Sequence, residues 1–346
     1  MTLSQLFGLL AVALAGLVIG SGVWPMKLMR KFQFEHWWFV GMLTGLILLP
    51  WALTLAFCPH ALAAYSRVSG RTLITANLWA AGWGIANILC GLCFVRIGLA
   101  LTGAILTGLG VSLGVVLPLV VKGSGLFRDA ADLGSPAGMT VLGGVGVMLV
   151  GVVFAAVAGF GRDRALRRLQ PRTGSFLGGL VMSIVAGVLS CGMSLAFVYG
   201  QGPIVQVMKA QGAGEVGATF AVWAVALLGG SLLNVLYPAY LMTRRQSWGV
   251  LAQSGTELAL AAVIGVNMTV GIVLMGNGML ALGALGASVG FGIQQASQML
   301  GNQAAGFLSG EWRGVVGTPR RQMYAAIALL ILAAAIMAYG NRLAKS

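Results

Sequence analysis

Ten stretches of the chain are nearly unbroken apolar sequence, at about 3–23, 37–57, 73–95, 98–121, 140–160, 176–198, 220–242, 258–279, 285–307 and 323–339, with short polar segments between them. Roughly 20 apolar residues in helix cross a bilayer core. Each stretch therefore has the length of one crossing, and the pattern predicts an all-α membrane protein with about ten transmembrane helices. A membrane β-barrel would instead alternate apolar and polar residues over segments of about ten. Two joints are narrow: Arg96 and a few neighbours separate runs three and four, and the glycine-rich Gly276–Gly286 stretch separates runs eight and nine.

The runs repeat. Gly8, Leu9, Ala15 and Gly16 of run one recur as Gly179, Leu180, Ala186 and Gly187 of run six, at an offset of 171. Gly41 and Pro50 of run two recur as Gly229 and Pro238 of run seven, at an offset of 188. Five spans are an odd number, so two five-span halves must be inverted relative to each other, an arrangement that places a transporter's substrate between them at mid-membrane. The expected division is an N-terminal five-helix repeat over 1–160, a basic linker over 161–175 and a C-terminal five-helix repeat over 176–346. The competing reading is chance likeness among helices rich in Gly, Ala and Leu; the shared order of the matches favours a repeat.

Composition adds that most of the surface meets lipid. Of the 346 residues 58% are hydrophobic and 8% charged, and mean hydropathy is +0.93, whereas soluble domains carry about 25% charged residues. The 53 glycines suit helices whose backbones approach closely. The net charge of +14 is a topology signal and not a nucleic-acid one. Fourteen Lys and Arg lie in the loops after runs one, three, five, seven and nine, against seven in the alternate set. The richer side is expected to be cytoplasmic, with the linker inside and both termini outside. Leu3–Val23 has spanning length and no basic segment before it, so it reads as a first span and not as a cleaved leader.

Candidate chemistry is sparse. The seven acids, Glu35, Asp129, Asp132, Asp163, Glu215, Glu257 and Glu311, fall in loops or at run ends, and His36 and His60 sit at membrane edges. No Ser-His-Asp set, HExxH or phosphate-binding glycine motif is present, so neither an enzyme nor a cofactor is expected. Cys90-Gly-Leu-Cys93 has metal-site spacing but no second ligand pair, and reads as two small residues in a packed helix. The interior polar groups are amides and indoles. Trp79, Trp83 and Asn87 recur at i, i+4, i+8. Gln295, Gln298 and Asn302 recur at i, i+3, i+7 beside Gln294, while run eight adds Asn267 and run seven adds Trp223 and Asn234. Polar groups at membrane depth face a bundle interior or wet cavity. Amides both donate and accept, and indole faces pack on sugar C–H surfaces. These residues point to a neutral sugar or other small polar metabolite; amides serving only as interhelical glue are the alternative. Trp24, Trp37, Trp38 and Trp312 fall at run ends and read as interface anchors.

Several segments resemble the rhamnose–proton symporter family. They are Trp83-Gly-Ile-Ala-Asn87-Ile with Gly91, Arg96 and Gly98; Pro25-Met-Lys27; Leu48-Leu-Pro50-Trp51; Gly187-Val-Leu-Ser-Cys-Gly192-Met-Ser194; and Gly310-Glu311-Trp312. The resemblance runs through nearly the whole chain. It implies membership of the drug/metabolite transporter superfamily, a place in the bacterial inner membrane, and proton-driven uptake of a sugar such as L-rhamnose. A proton carrier needs a titratable group, and Glu311 and then Glu257 are the candidates nearest the runs. An exporter of another metabolite on the same scaffold, or a non-transporting membrane scaffold, are the other readings.

Overall fold

A computed structural model describes residues 3–97, 99–166 and 176–344. The described residues are helical, with no strand. The elements run α1 Leu3–Gly22, α2 Phe34–Met42, a π-helical turn Leu43–Leu48, α3 Leu49–Phe57, the short α4 Ala61–Tyr65, α5 Gly70–Ile97, α6 Leu99–Val121 and α7 Pro136–Ala165. They continue with α8 Phe176–Ser190, α9 Gly192–Ala210, α10 Glu215–Ala226, α11 Leu228–Arg244, α12 Gly255–Leu282, α13 Gly286–Leu308 and α14 Thr318–Leu343.

Seven helices among the described residues are long and apolar enough to cross a membrane, or eight if α10 and α11 are one bent span. The helix of run nine, α13, is not among them despite its 23 residues. Its Gln and Asn side chains lower its hydropathy, and most of its first half is buried against protein instead of lipid. Run six continues past its expected end to Ala210, with Pro203 inside it. Run five extends to Ala165, so the first residues of the expected linker are helical; residues 167–175 of that linker lie outside the described residues.

Lipid-facing and protein-facing sides are separated along single helices. On α1, Leu3, Leu6, Phe7, Leu10, Leu14 and Leu17 are exposed, at the three- and four-residue spacing of one helical face. The opposite face carries Gly8, Gly16 and Gly20. A methyl group on Gly16 would fall 2.2 Å from the Gln294 carbonyl oxygen, and one on Gly20 would fall 2.1 Å from that of Gln298. Glycine alone permits α1 to lie directly on the α13 backbone.

Two of the helical breaks are bridged from another helix. The axis bends 53° between α10 and α11. There Asn77 of α5 donates Nδ2 to the Val225 carbonyl at 2.9 Å and accepts the Gly229 N–H on Oδ1 at 2.7 Å. One side chain thus satisfies backbone groups on both sides of the bend, as a break at membrane depth requires. The π-helical turn between α2 and α3 is bridged in the same manner by Thr269 of α12, whose hydroxyl donates to the Gly45 carbonyl at 2.9 Å.

Beside α10, Phe197 and Trp223 stack at 4.5 Å with Phe127 next to them. Tyr65 donates its hydroxyl to the Ala221 carbonyl at 2.7 Å, and burial pushes its phenol pKa up, so it remains a donor. This aromatic cluster fills the bundle near the α10 end.

Candidate functional site

A cavity of about 300 Å³ lies between α1, α2, α5, α12 and α13. It is lined by Trp83, Asn87, Asn267, Gln294, Gln295, Gln298 and Asn302, together with Trp38 and apolar side chains including Met42, Met193, Met275 and Phe291. Among the described residues, none that lines it is charged. Seven of the eight side chains expected at a substrate site thus converge on one space.

Trp79 does not reach it. Its side chain is 38% exposed on the outer side of α5. The physical reason is the helical repeat: a spacing of four overshoots 3.6 residues per turn by about 40° a step, so Trp79 and Asn87 diverge by about 80°. Trp83 and Asn87 hold the inward face.

The amides are partly spent on one another. Gln294 Nε2 donates to Gln298 Oε1 at 2.8 Å, and Asn267 Nδ2 donates to the Gly22 carbonyl at 3.2 Å. Asn87 Nδ2 donates to Asn234 Oδ1 at 3.2 Å. Among the described residues Gln295 and Asn302 make no side-chain hydrogen bond to protein, so their capacity faces the cavity. The methionines and Phe291 supply an adaptable apolar wall. Such a space binds a neutral ligand with hydroxyls on one side and C–H surface on the other.

A second cavity of about 460 Å³ shares Val23, Thr107 and Asn302 with the first and contains the charges the first lacks. Glu311 pairs with Lys27 through Oε1 and with Arg162 through Oε2 at 3.0 Å. Arg162 also pairs with Asp163 at 2.9 Å and lies 5.4 Å over the Trp312 ring. Trp312 is 2% exposed and stacked on Phe307, so it is a buried packing residue and not an interface anchor. Trp38 is likewise a cavity residue. Both corrections have one cause: run ends read from hydropathy stop short of where loops fold back over the bundle.

The other candidate acid, Glu257, is elsewhere. It stands in the first turn of α12, and Ser254 accepts its backbone N–H at 3.3 Å. Its carboxylate accepts the backbone N–H groups of Arg30, Lys31 and Phe32, the last at 2.8 Å. It anchors the turn after α1 and touches neither cavity.

Glu35 and His36 lie at a run end as expected, but they are buried there. They are 2% and 1% exposed at the start of α2. Arg245 pairs with Glu35 at 2.8 Å, and His36 Nε2 meets the Ser247 carbonyl at 3.2 Å. Asn77 and Trp38 escaped expectation as structural or site residues. Asn234 was visible as an intramembrane amide, but nothing local marks its partners.

Residues 2–259 match the family described as L-rhamnose-proton symport protein (RhaT). The chain belongs to the RhaT family. Its relatives include the L-rhamnose-proton symporters of Yersinia pestis bv. Antiqua (strain Antiqua) and Yersinia pseudotuberculosis serotype O:1b (strain IP 31758), each 29% identical over 213 residues. The aligned part spans 62% of this chain and 60% of each relative's length. The RhaT family match covers α1 to the start of α12 and so contains Trp38, Trp83, Asn87 and Asn234. The amides of α13 lie beyond it. The RhaT family is one of transport proteins and not of enzymes.

Proposed function

We propose that this chain is a secondary transporter of the bacterial inner membrane that takes up a sugar, L-rhamnose or a close relative, together with protons. The observation that carries the reading is the uncharged cavity lined by amides, indoles and methionines at the heart of a bundle belonging to a family of symporters. Its chemistry suits a neutral polyhydroxylated ligand carrying an apolar edge. A scaffold without transport has no use for unpaired amides such as Gln295 facing a central space.

The reading includes ten crossings in two inverted halves, 1–160 and 176–346, joined by a cytoplasmic basic linker, and a place in the drug/metabolite transporter superfamily. The pairing of helices supports it. α1 lies against α12 and α13, and α8 lies against α5 and α6. α2 meets α12 as α11 meets α5, and α7 meets α14. Exchanging the first five runs for the second five leaves this pattern unchanged. The two interrupted helices, each bridged by a polar side chain of the other half, fit the same exchange.

For the proton, Glu311 is the better carrier. It borders the cavity that communicates with the sugar site, and its charge is balanced by Lys27 and Arg162, which a proton would release. Glu257 is held by backbone donors that favour its ionised form. The test is uptake of labelled L-rhamnose into proteoliposomes under an imposed proton gradient, with alkalinisation recorded outside. Rhamnose-dependent accumulation with proton movement is expected; movement of another metabolite outward, and none of rhamnose, would replace this reading with that of an exporter.

A further inference from the structure

Asn234 takes no part in lining the cavity: it is fully buried in α11. Yet it connects three elements. Its Oδ1 receives Trp38 Nε1 from α2 at 3.3 Å and Asn87 Nδ2 from α5 at 3.2 Å, and its Nδ2 donates to the Gly230 carbonyl at 2.9 Å. The polarity of this chain of contacts follows from its ends. An indole N–H can only donate, and a backbone carbonyl can only accept. Trp38 therefore requires an oxygen at the near side of Asn234, and Gly230 requires a nitrogen at the far side. With the Asn234 oxygen facing Asn87, the Asn87 amide must present its nitrogen. Its Oδ1 is then left without a protein partner among the described residues, on a side chain that lines the cavity.

The geometry points to Asn234 and Trp38 as positioning residues that fix Asn87 as a hydrogen-bond acceptor, so that the cavity selects a ligand hydroxyl that donates at that point. This rests on the sugar-transport reading above. An Asn free to flip would accept from or donate to a ligand with equal ease. One locked by a donor-only indole discriminates, because the wrong ligand group leaves a buried acceptor unpaired. The lock also crosses the bundle, since Trp38 and Asn87 precede the linker and Asn234 follows it. The orientation of Asn87 thus depends on α2, α5 and α11 being together.

The experiment is competition against labelled L-rhamnose binding to purified protein by L-rhamnose analogues in which one hydroxyl at a time is replaced by hydrogen or by fluorine. Fluorine accepts weakly and cannot donate. At one ring position the wild type should lose affinity for both analogues alike, by about tenfold, the size of one good hydrogen bond. Trp38→Phe should shrink that penalty to about threefold or less, because it removes the donor-only indole and leaves the Gly230 carbonyl alone to orient the Asn234 amide. Asn234→Asp, which as a buried neutral acid keeps an oxygen facing both donors and an O–H for the Gly230 carbonyl, should preserve the penalty, whereas Asn234→Leu should shrink it as Trp38→Phe does. A purely structural role predicts the opposite order, with the buried acid the more damaging of the two changes. If the Asn234 variants do not yield folded protein, Trp38→Phe alone decides. A wild type that binds rhamnose and whose position-specific penalty survives in Trp38→Phe overturns this inference and leaves the transport reading intact. A wild type that binds no sugar overturns the transport reading and this inference with it.

Discussion

Carboxylates in this protein differ by what points at them. Glu257 faces three backbone N–H groups, Glu311 faces two side-chain cations, and buried Glu35, among the described residues, faces Arg245 on one oxygen only. Backbone donors cannot move without unfolding the turn, whereas side-chain cations can swing away. Glu257→Gln should therefore lower the thermal midpoint, read by differential scanning fluorimetry, yet leave proton flux within about twofold of wild type. Glu311→Gln should abolish rhamnose-driven proton movement in proteoliposomes while rhamnose exchange down its own gradient persists. Proton flux that survives in Glu311→Gln would remove this residue from the coupling. Among the amides, Asn87→Ala and Gln298→Ala should each weaken uptake by about tenfold, one hydrogen bond's worth, with membrane protein levels unchanged on immunoblots. The α13 amides were legible in the sequence because three of them keep one helical face over i, i+3, i+7. The contacts of Asn234 and Asn77 to other helices were not, because each is made to a residue 147 to 196 positions away. The burial of Glu35 was hidden for a related reason: hydropathy marks where an apolar run ends, and says nothing of which loop covers that end.

At the level of elements, glycine decides where helices touch. Gly20→Val would place a branched side chain where a single methyl already falls 2.1 Å from the α13 backbone. The protein should then be lost from the monodisperse peak in size-exclusion chromatography. Gly143→Ala, in open space on α7, should leave that peak unchanged and serves as the control. The run pattern revealed these helices well, since apolar length is a property of each run by itself. It could not reveal the bend at Leu227 or the π-helical turn at Leu43–Leu48. Pro50 follows the π-helical turn closely while Pro238 lies well inside α11, and the interruptions persist because Asn77 and Thr269 arrive from other helices to satisfy the freed backbone groups.

At the level of the whole molecule, the excess of basic residues on alternate loops predicts orientation. With the four native cysteines replaced, a cysteine introduced at Arg167 should resist a membrane-impermeant maleimide in intact cells and react after permeabilisation; labelling in intact cells would invert the assignment. The contact of α1 with α12 and α13 has a mechanical corollary. Glycine seams of this kind do not slide easily, so α1 travels with helices encoded after the linker, and α8 correspondingly travels with α5 and α6. On the transport reading proposed above, the blocks that rock against each other would then not be the two stretches, 1–160 and 176–346, that follow one another in the chain. Each block would borrow its first helix from the opposite stretch, as two clasped hands each hold a finger of the other. A gene severed within 161–175 should yield two fragments that are each degraded when made alone. Made together in one cell, they should recover uptake, because each completes the other's block.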